Sequence, residues 1–189
     1  MTTPGPHASR PADARVGYTV LERMVTHTGP VFRVESLRVA DSRGRIARRD
    51  VVRHPGAVTV LAQLADGRYV MIRNQRIAVG ETLLEFCAGK LEPGEPPAIT
   101  AGRELEEECG YRAGSIVPLG TFYTSPGFAD ERMYVFLATD LEPIDRRLEP
   151  GEEIDVVILR RDEIEAAIRA GTLVDGKSLA AWMLHVART

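Results

Sequence analysis

The sequence predicts an α+β fold in which a mixed β-sheet is flanked by helices. Its 189 residues, 44% of them hydrophobic, suffice for one domain with a buried core and are short for two full domains. Apolar, β-branched segments outnumber helical ones, do not alternate regularly with them and show no internal repeat. These observations favour a sheet with helices packed on it over a regular βαβ arrangement.

The N-terminal half is predicted to consist almost entirely of strands. Residues 1–17 are rich in Pro, Ser, Thr and Arg and contain no apolar stretch, so we expect a flexible lead-in and not a secretory signal. Turn residues then separate β-branched and apolar segments, which are predicted as strands at 18–26, 31–40, 46–54, 56–64, 68–75 and 83–88. The predicted organisation is an N-terminal strand region, residues 18–54, followed by the main domain, residues 55–189.

The C-terminal half mixes helices with strands. Pro96 and Pro97 open a helical pattern that ends at Gly110, with proline in the first turn and glycine just past the last. Asp162 is predicted to cap a helix that runs to Ala170. Further strands are predicted at 116–124, 132–139 and 155–160, and a last helix at 177–186.

Composition argues against several classes of protein. A net charge of −3 gives no electrostatic reason to expect a nucleic-acid partner. No apolar run approaches the roughly 20 residues that a membrane span needs. Cys87 and Cys109 are far apart and form no CxxC, so neither a disulfide framework nor a zinc site is expected, and a reducing cytoplasm fits.

The sharpest feature is the acidic end of the first predicted helix. Glu104, Glu107 and Glu108 are related by three and four residues, which places their carboxylates on one helix face. Each such pair costs roughly a few tenths of a kcal/mol, and the helix dipole disfavours anions at this end. A hard divalent cation bound by the oxygens would reverse that cost. A solvated acidic face is the alternative that these residues alone leave open.

The flanking residues extend this feature into a longer motif. The chain resembles the Nudix hydrolase family, whose box reads G-x5-E-x7-R-E-U-x-E-E-x-G-U with U aliphatic. Only Tyr111 departs from the pattern, with an aromatic side chain where an aliphatic one is usual. The matching residues are Gly89, Glu95, Arg103, Glu104, Leu105, Glu107, Glu108 and Gly110.

Segments outside the box resemble the ADP-ribose pyrophosphatase branch of that family. They comprise residues 52–58, 85–91, 125–127 and 151–156. The resemblance implies an α/β/α sandwich, and a symmetric homodimer whose N-terminal region can exchange between subunits. It also implies dependence on Mg²⁺, with Mn²⁺ as a substitute.

The resemblance also implies roles for individual residues. Metal ligands are expected from the Ala88 carbonyl and from Glu104, Glu107 and Glu108, with Arg103 and Glu95 holding the ligands in place. The general base is expected on the acidic loop at residues 151–156, where the alignment with the family's pattern favours Glu152 over Glu153. Glu107 is the third candidate catalytic residue. Candidate substrate contacts are Arg53, Arg76, Leu91, Ser125, Pro126 and Gly127, and both arginines could instead pair with neighbouring acids.

The expected function is hydrolysis of ADP-ribose to AMP and ribose 5-phosphate. Another nucleotide sugar, such as GDP-mannose or ADP-glucose, is an alternative that the sequence separates poorly. A non-catalytic nucleotide-sugar sensor would be expected to have lost box carboxylates, yet all are present. A DNA-binding regulator would need a helix-turn-helix domain, for which the C-terminal residues are too few.

Overall fold

The computed structural model describes residues 17–188, which form two compact units. The first comprises residues 17–55 together with 125–131, and the second comprises 56–124 together with 132–188. The predicted flexible lead-in, residues 1–17, lies outside the described residues except for Gly17. The division into an N-terminal strand region and a main domain at residues 54 and 55 stays a prediction.

The first unit is an antiparallel sheet in the order β1-β2-β3. Its strands are β1 (Tyr18–Thr28), β2 (Arg33–Asp41) and β3 (Ile46–Arg53). Residues 125–131 join β3, because Val52 N donates to Phe128 O at 2.8 Å and Asp130 N donates to Val52 O at 3.1 Å. Every residue of β1 is exposed, whereas Leu37 and Val39 of β2 are buried.

The second unit is built on a mixed seven-stranded sheet among its described residues. The path runs β10-β5-β4-β9-β8, with β6 paired to β5 and β7 paired to β4. β4 runs parallel to β9 and all the other pairs are antiparallel. The strands are β4 (Ala57–Gln63), β5 (Tyr69–Arg76), β6 (Glu81–Glu85), β7 (Cys87–Lys90), β8 (Tyr111–Tyr123), β9 (Arg132–Pro143) and β10 (Ile154–Leu159).

Helices cover both faces of this sheet. They are α1 (Pro97–Glu104), a π-helical turn (Leu105–Cys109), α2 (Arg161–Arg169) and α3 (Gly176–Val186). We call α1 and the π-helical turn together the motif helix. Because side chains alternate along a strand, Val58 and Val60 of β4 pack towards the motif helix while Leu61 packs towards α3. The predicted α+β fold, with a mixed sheet between helical layers, is confirmed.

Outside the acidic motif, one strand prediction and one helix-cap prediction were wrong. The apolar stretch 83–88 is not one strand but is divided at Phe86, whose N–H donates to Ser178 Oγ at 2.8 Å instead of to a neighbouring strand. Asp162 is not the cap of α2, since the helix begins at Arg161 and Arg160 precedes it. Glu163 accepts the Arg160 N–H at 2.8 Å, which leaves Asp162 inside the first turn.

Within residues 17–188, no helix is both long and apolar enough to cross a bilayer.

Candidate active site

The acidic motif begins as an α-helix and ends in a wider turn. Pro97 occupies the first helical position, and Gly110 ends the segment in the left-handed conformation, with φ of 71°. Between them, Leu105–Cys109 form a π-helical turn, where α-helical spacing was expected. The Glu107 carbonyl accepts a hydrogen bond from Arg147 N at 3.2 Å, so a residue from outside the helix satisfies a carbonyl of this turn. Such π-turns are frequent at functional sites.

Gly89 leaves room for the carboxylate of Glu104. A Cβ atom built on Gly89 would overlap the carboxyl group of Glu104, which is only 9% exposed. Any side chain at position 89 would therefore displace the Glu104 carboxylate. This explains in physical terms why the motif starts with glycine.

Glu108 is held by the residue that precedes Gly89 in the same strand. It is 4% exposed, and its carboxylate accepts the Ala88 N–H at 3.1 Å. Glu104 and Glu108 thus both contact the short strand β7, one at Gly89 and the other at Ala88. The fold thus brings together residues that are 15 and 20 positions apart in the sequence.

Burial raises the pKa of Glu104 and that of Glu108 to about 7. Arg103 opposes this rise at Glu104, and hydrogen bonds from Cys87 and from the Ala88 N–H oppose it at Glu108. The negative charge of Glu152 adds to the rise at both carboxyls. The partners of Glu104 and Glu108 therefore do not fully offset the cost of burying the ionised carboxylates.

Arg103 is the one guanidinium that pairs with these acids among the described residues. Its Nη1 lies 2.9 Å from Glu104 Oε1 and 2.8 Å from Glu107 Oε2. Its Nε donates to Glu95 Oε1 and its Nη2 to Glu95 Oε2, both at 3.1 Å. Glu95 is the largest cause that raises the pKa of Arg103, so the guanidinium stays charged and fixed.

The donor set suits a hard divalent cation. Magnesium prefers oxygen ligands, and the cluster offers carboxylate groups, two of them on the buried residues Glu104 and Glu108, whose ionised forms are destabilised by burial. As described in residues 17–188, no three acidic, imidazole or thiol groups already form a ligand set. Glu104 and Glu107 are turned to Arg103, and Glu108 is turned to the Ala88 N–H.

The two candidate bases differ in their surroundings. Glu152 is half-buried, accepts Glu149 N at 2.8 Å and is close enough to affect the pKa of Glu104 and of Glu108. Glu153 is exposed, and its carbonyl accepts Gln75 N at 3.2 Å. Both residues line a cavity of about 370 Å³, together with Arg73, Gln75, Thr82, Leu148, Ile154 and Asp155.

Two of the candidate substrate contacts lie in the second unit. Arg76 Nε donates to Glu85 Oε1 at 2.8 Å, and Glu108 is among the charges that raise its pKa after the larger effect of Glu85. Leu91 is 7% exposed and packs in the core next to the motif helix. Its N–H donates to Gly56 O at 3.0 Å.

The other candidate contacts belong to the first unit. Arg53 Nε donates to Glu35 Oε2 at 2.8 Å, and its Nη1 donates to Asp130 Oδ2 at 3.1 Å. The Ser125 carbonyl accepts the N–H groups of Phe128 and Ala129, which closes a turn around the exposed Pro126 and Gly127.

The sequence analysis assigns no role to Glu85, although in the structure it is the buried partner of a candidate substrate contact, Arg76. Its side chain is completely buried and pairs with Arg76 and Lys177. The signal was present, because a glutamate inside the apolar segment Leu83–Ala88 is expensive to bury without partners.

The NUDIX domain model matches residues 53–181 of the chain, more than half of its length. The chain belongs to the Nudix family.

Several relatives place it more closely within that family. It is 41% identical to the ADP-ribose pyrophosphatase of Bacillus subtilis (strain 168) over 137 residues, 71% of this chain and 74% of that protein. It is 38% identical to the ADP-ribose pyrophosphatase of Mycobacterium tuberculosis over 157 residues, 82% of this chain and 76% of that protein. A methanol dehydrogenase activator of Bacillus methanolicus is 37% identical over 169 residues, 86% of this chain and 91% of that protein.

A solved structure confirms the fold of this Nudix chain. The crystal structure of an ADP compounds hydrolase matches it with a TM-score of 0.79, over 93% of this chain and 96% of that chain. The two sequences are 23% identical. The resemblance read from the motif and its flanking segments is therefore confirmed at the level of family and fold.

Proposed function

We propose that this Nudix enzyme hydrolyses the pyrophosphate of ADP-ribose to AMP and ribose 5-phosphate, with Mg²⁺ as its metal and Mn²⁺ as a substitute. The chemistry is supported above all by the two buried carboxylates, Glu104 and Glu108, whose negative charge is incompletely neutralised. The choice of ADP-ribose is supported by the likeness to two ADP-ribose pyrophosphatases.

Glu104, Glu107, Glu108 and the Ala88 carbonyl would hold the metal. When bound, a magnesium ion neutralises the charge of a pyrophosphate and lowers the pKa of a water molecule. Glu104 and Glu107 would exchange part of their contact with Arg103 for this role. Arg103 stays anchored by its two hydrogen bonds to Glu95 and keeps both carboxylates close to their working positions.

Glu152 is the proposed general base. It is half-buried, and its charge acts on both Glu104 and Glu108, which supports a role in which its carboxylate would take a proton from an attacking water near the metal ligands. The exposed Glu153 is a weaker candidate, because its side chain lies more in solvent. Glu107, half-buried beside Arg103, is a further candidate.

The substrate contacts are proposed in two groups. In the second unit, Arg76 would bind a phosphate through its guanidinium, while the buried Leu91 would shape the site from behind. In the first unit, Arg53 and the turn at Ser125, Pro126 and Gly127 would contribute recognition. We also propose a cytoplasmic homodimer, which light scattering at working concentration would test by yielding twice the mass of one chain.

A panel of nucleotide sugars tests the substrate. ADP-ribose, GDP-mannose and ADP-glucose would be incubated with Mg²⁺, and the release of phosphate monoester would be followed. We expect kcat/KM for ADP-ribose to exceed the others by about tenfold or more, equivalent to about 1.4 kcal/mol of discrimination. Equal turnover of GDP-mannose would contradict the assignment of ADP-ribose, and no turnover of any member would contradict pyrophosphate hydrolysis.

The likeness to a methanol dehydrogenase activator favours a second candidate function, activation of a dehydrogenase. The match covers 91% of that protein, a larger share than for the two pyrophosphatases. Adding wild-type protein or Glu108→Gln to a methanol dehydrogenase assay would test it. Stimulation by wild type alone would link activation to hydrolysis, and no stimulation would remove this candidate.

A further inference from the structure

We infer that Glu85 is a positioning residue, whose buried carboxylate fixes the orientation of Arg76 so that Arg76 can bind a phosphate of the substrate. This inference rests on the proposed function. It concerns a residue outside the Nudix box and a network that joins the sheet to helix α3.

Glu85 and Arg76 lie on the face of the sheet that carries the motif helix. Ile72 and Glu85 are direct partners in the pairing of β5 with β6, so their side chains share a face. Ile72 packs in the core cluster of the motif helix, and Arg76, four residues along the same strand, faces the same way. The influence of Glu108 on the pKa of Arg76 agrees with this placement.

The contact between the two residues is side-on and bidentate. Arg76 donates from Nε at 2.8 Å to one oxygen of Glu85 and from Nη2 to the other oxygen. Glu85 is fully buried, whereas the Arg76 side chain is 36% exposed. A guanidinium has five N–H donors, so the Nη1 hydrogens and one Nη2 hydrogen remain for a further acceptor. No other partner of Arg76 is found within residues 17–188.

Glu85 also pairs with a second cation, Lys177 of α3. Lys177 Nζ lies 3.4 Å from Glu85 Oε2 and 2.5 Å from Asp175 Oδ1. Asp175 caps α3 by accepting Ser178 N at 2.9 Å and Ser178 Oγ at 2.7 Å.

The backbone next to Glu85 is tied to the same helix. Phe86 N donates to Ser178 Oγ at 2.8 Å. The main chain next to Glu85 is therefore fixed to α3 without Lys177, while Arg76 has one partner and a partly exposed side chain. Glu85 orients Arg76 through the bidentate contact itself.

A double-mutant cycle tests the inference. Binding of ADP-ribose would be measured by calorimetry with EDTA, which prevents turnover, and KM and kcat would be measured with Mg²⁺. We expect Glu85→Gln to weaken binding and raise KM about tenfold with kcat changed less than about threefold, because a phosphate is charged in both ground and transition states. Adding Glu85→Gln to Arg76→Ala should cause no further loss, since the two residues act as one unit.

Lys177→Gln is the matched control, because it removes the other cation from Glu85 and leaves the Phe86–Ser178 contact. We expect it to lower the melting temperature while the ADP-ribose Kd changes less than about twofold. Glu85→Asp keeps the charge and withdraws the carboxylate by one methylene. It should give an intermediate loss, and it serves as the test variant should Glu85→Gln fail to fold.

Additive effects of Glu85→Gln and Arg76→Ala would overturn the inference, as would a loss from Lys177→Gln equal to that from Glu85→Gln. Absence of ADP-ribose binding to the wild-type protein would also overturn it. If the effects of Glu85→Gln and Arg76→Ala on binding are coupled but ADP-ribose is not hydrolysed, the inference is supported and the proposed function is contradicted. If ADP-ribose is hydrolysed but the two effects are not coupled, the proposed function is supported and the inference is contradicted.

Discussion

Glu35 in the first unit and the pair Glu104 and Glu108 in the second are all nearly buried, at 2%, 9% and 4% exposure. Their pKa values are nevertheless shifted in opposite directions from the ordinary value of a glutamate. Burial alone would raise the pKa of Glu35, but hydrogen bonds from Arg53 and Arg33 outweigh it, and Arg23 adds to the lowering. At Glu104 and Glu108 burial prevails, and the pKa of each carboxyl rises to about 7.

The two sites also differ in how many arginines neutralise their carboxylates. One carboxylate in the first unit has three arginines around it, whereas Arg103 alone serves Glu95, Glu104 and Glu107 among the described residues. A carboxylate that is neutralised by several arginines stabilises its unit without a further ligand. A group of buried carboxylates with too few cations destabilises the fold, and a bound metal ion would offset that destabilisation.

Replacing Glu108 by Gln should remove one of the two buried carboxylates that we assign to metal binding. We expect kcat/KM for ADP-ribose to fall by roughly 10³-fold or more, because the carboxylate charge that would hold the metal is lost while the shape of the side chain is kept. Glu106→Gln is the control from the same turn, since Glu106 pairs with Arg112 instead. Phosphate-monoester release measures both, and equal losses in the two variants would contradict the assignment.

The late loop offers a second functional test. Glu152→Gln should lower kcat by about 10²-fold or more, in the range of a lost general base. Glu153→Gln, its exposed neighbour, should change kcat less than about threefold, as expected for a solvated surface group. Steady-state kinetics with ADP-ribose decide between them, and an unaffected kcat in Glu152→Gln would remove the proposed base.

Glu35→Gln tests the structural side of the contrast. We expect a loss of about 2 kcal/mol in the free energy of unfolding, reduced from the larger cost of breaking a fully buried pair because the arginines are partly exposed. Denaturant unfolding of wild type and variant measures it.

The pH dependence of that loss follows from the lowered pKa of Glu35. Its ionised form is favoured in the folded state, so the contribution is fully present above the unfolded value, near 4.5, and is lost as pH falls through the lower folded value. Wild type and variant should therefore converge in stability in acid. A gap that widens as pH falls would contradict this account.

A smaller effect should appear in the pH dependence of metal binding. The raised pKa of Glu104 and of Glu108 means that the folded, metal-free protein binds protons more tightly than the unfolded chain, so its stability falls as pH rises from about 4.5 to about 7. Added Mg²⁺ competes with those protons. We expect it to raise the melting temperature by about 5 °C at pH 8 and by less than about 2 °C at pH 5.5.

Thermal melts with Mg²⁺ or EDTA measure this difference, and Glu108→Gln should abolish most of it. A shift that is independent of pH, or one retained in that variant, would place the metal elsewhere.

Features encoded locally were predictable from the sequence. Pro97 and Gly110 mark the ends of the motif segment, and continuous apolar, β-branched runs mark β4 and the first half of β5. Spacing brought Glu104 and Glu108 to one face. It could not show that Gly89 and Ala88 face these two glutamates, because strand β7 and the helix meet only in the folded chain.

Features that depend on distant partners were missed for the same reason. The π-turn has a contact from Arg147, the break at Phe86 depends on Ser178, and Glu85 depends on Lys177. Each partner lies about 40 or more residues away in the sequence, beyond the reach of any helical or strand period.

The contact between Gly89 and Glu104 ties the site to the alignment of one strand. Gly89 is paired with Val58, and its neighbours Ala88 and Lys90 are paired with Thr59 and Ala57. A slip of β7 by a single residue would bring a methyl group or a lysine side chain to the place that the Glu104 carboxylate fills. A molecule with β7 in the wrong register would therefore be unable to form its acidic cluster. Metal binding would then favour the native register over misfolded forms that differ from it by one residue.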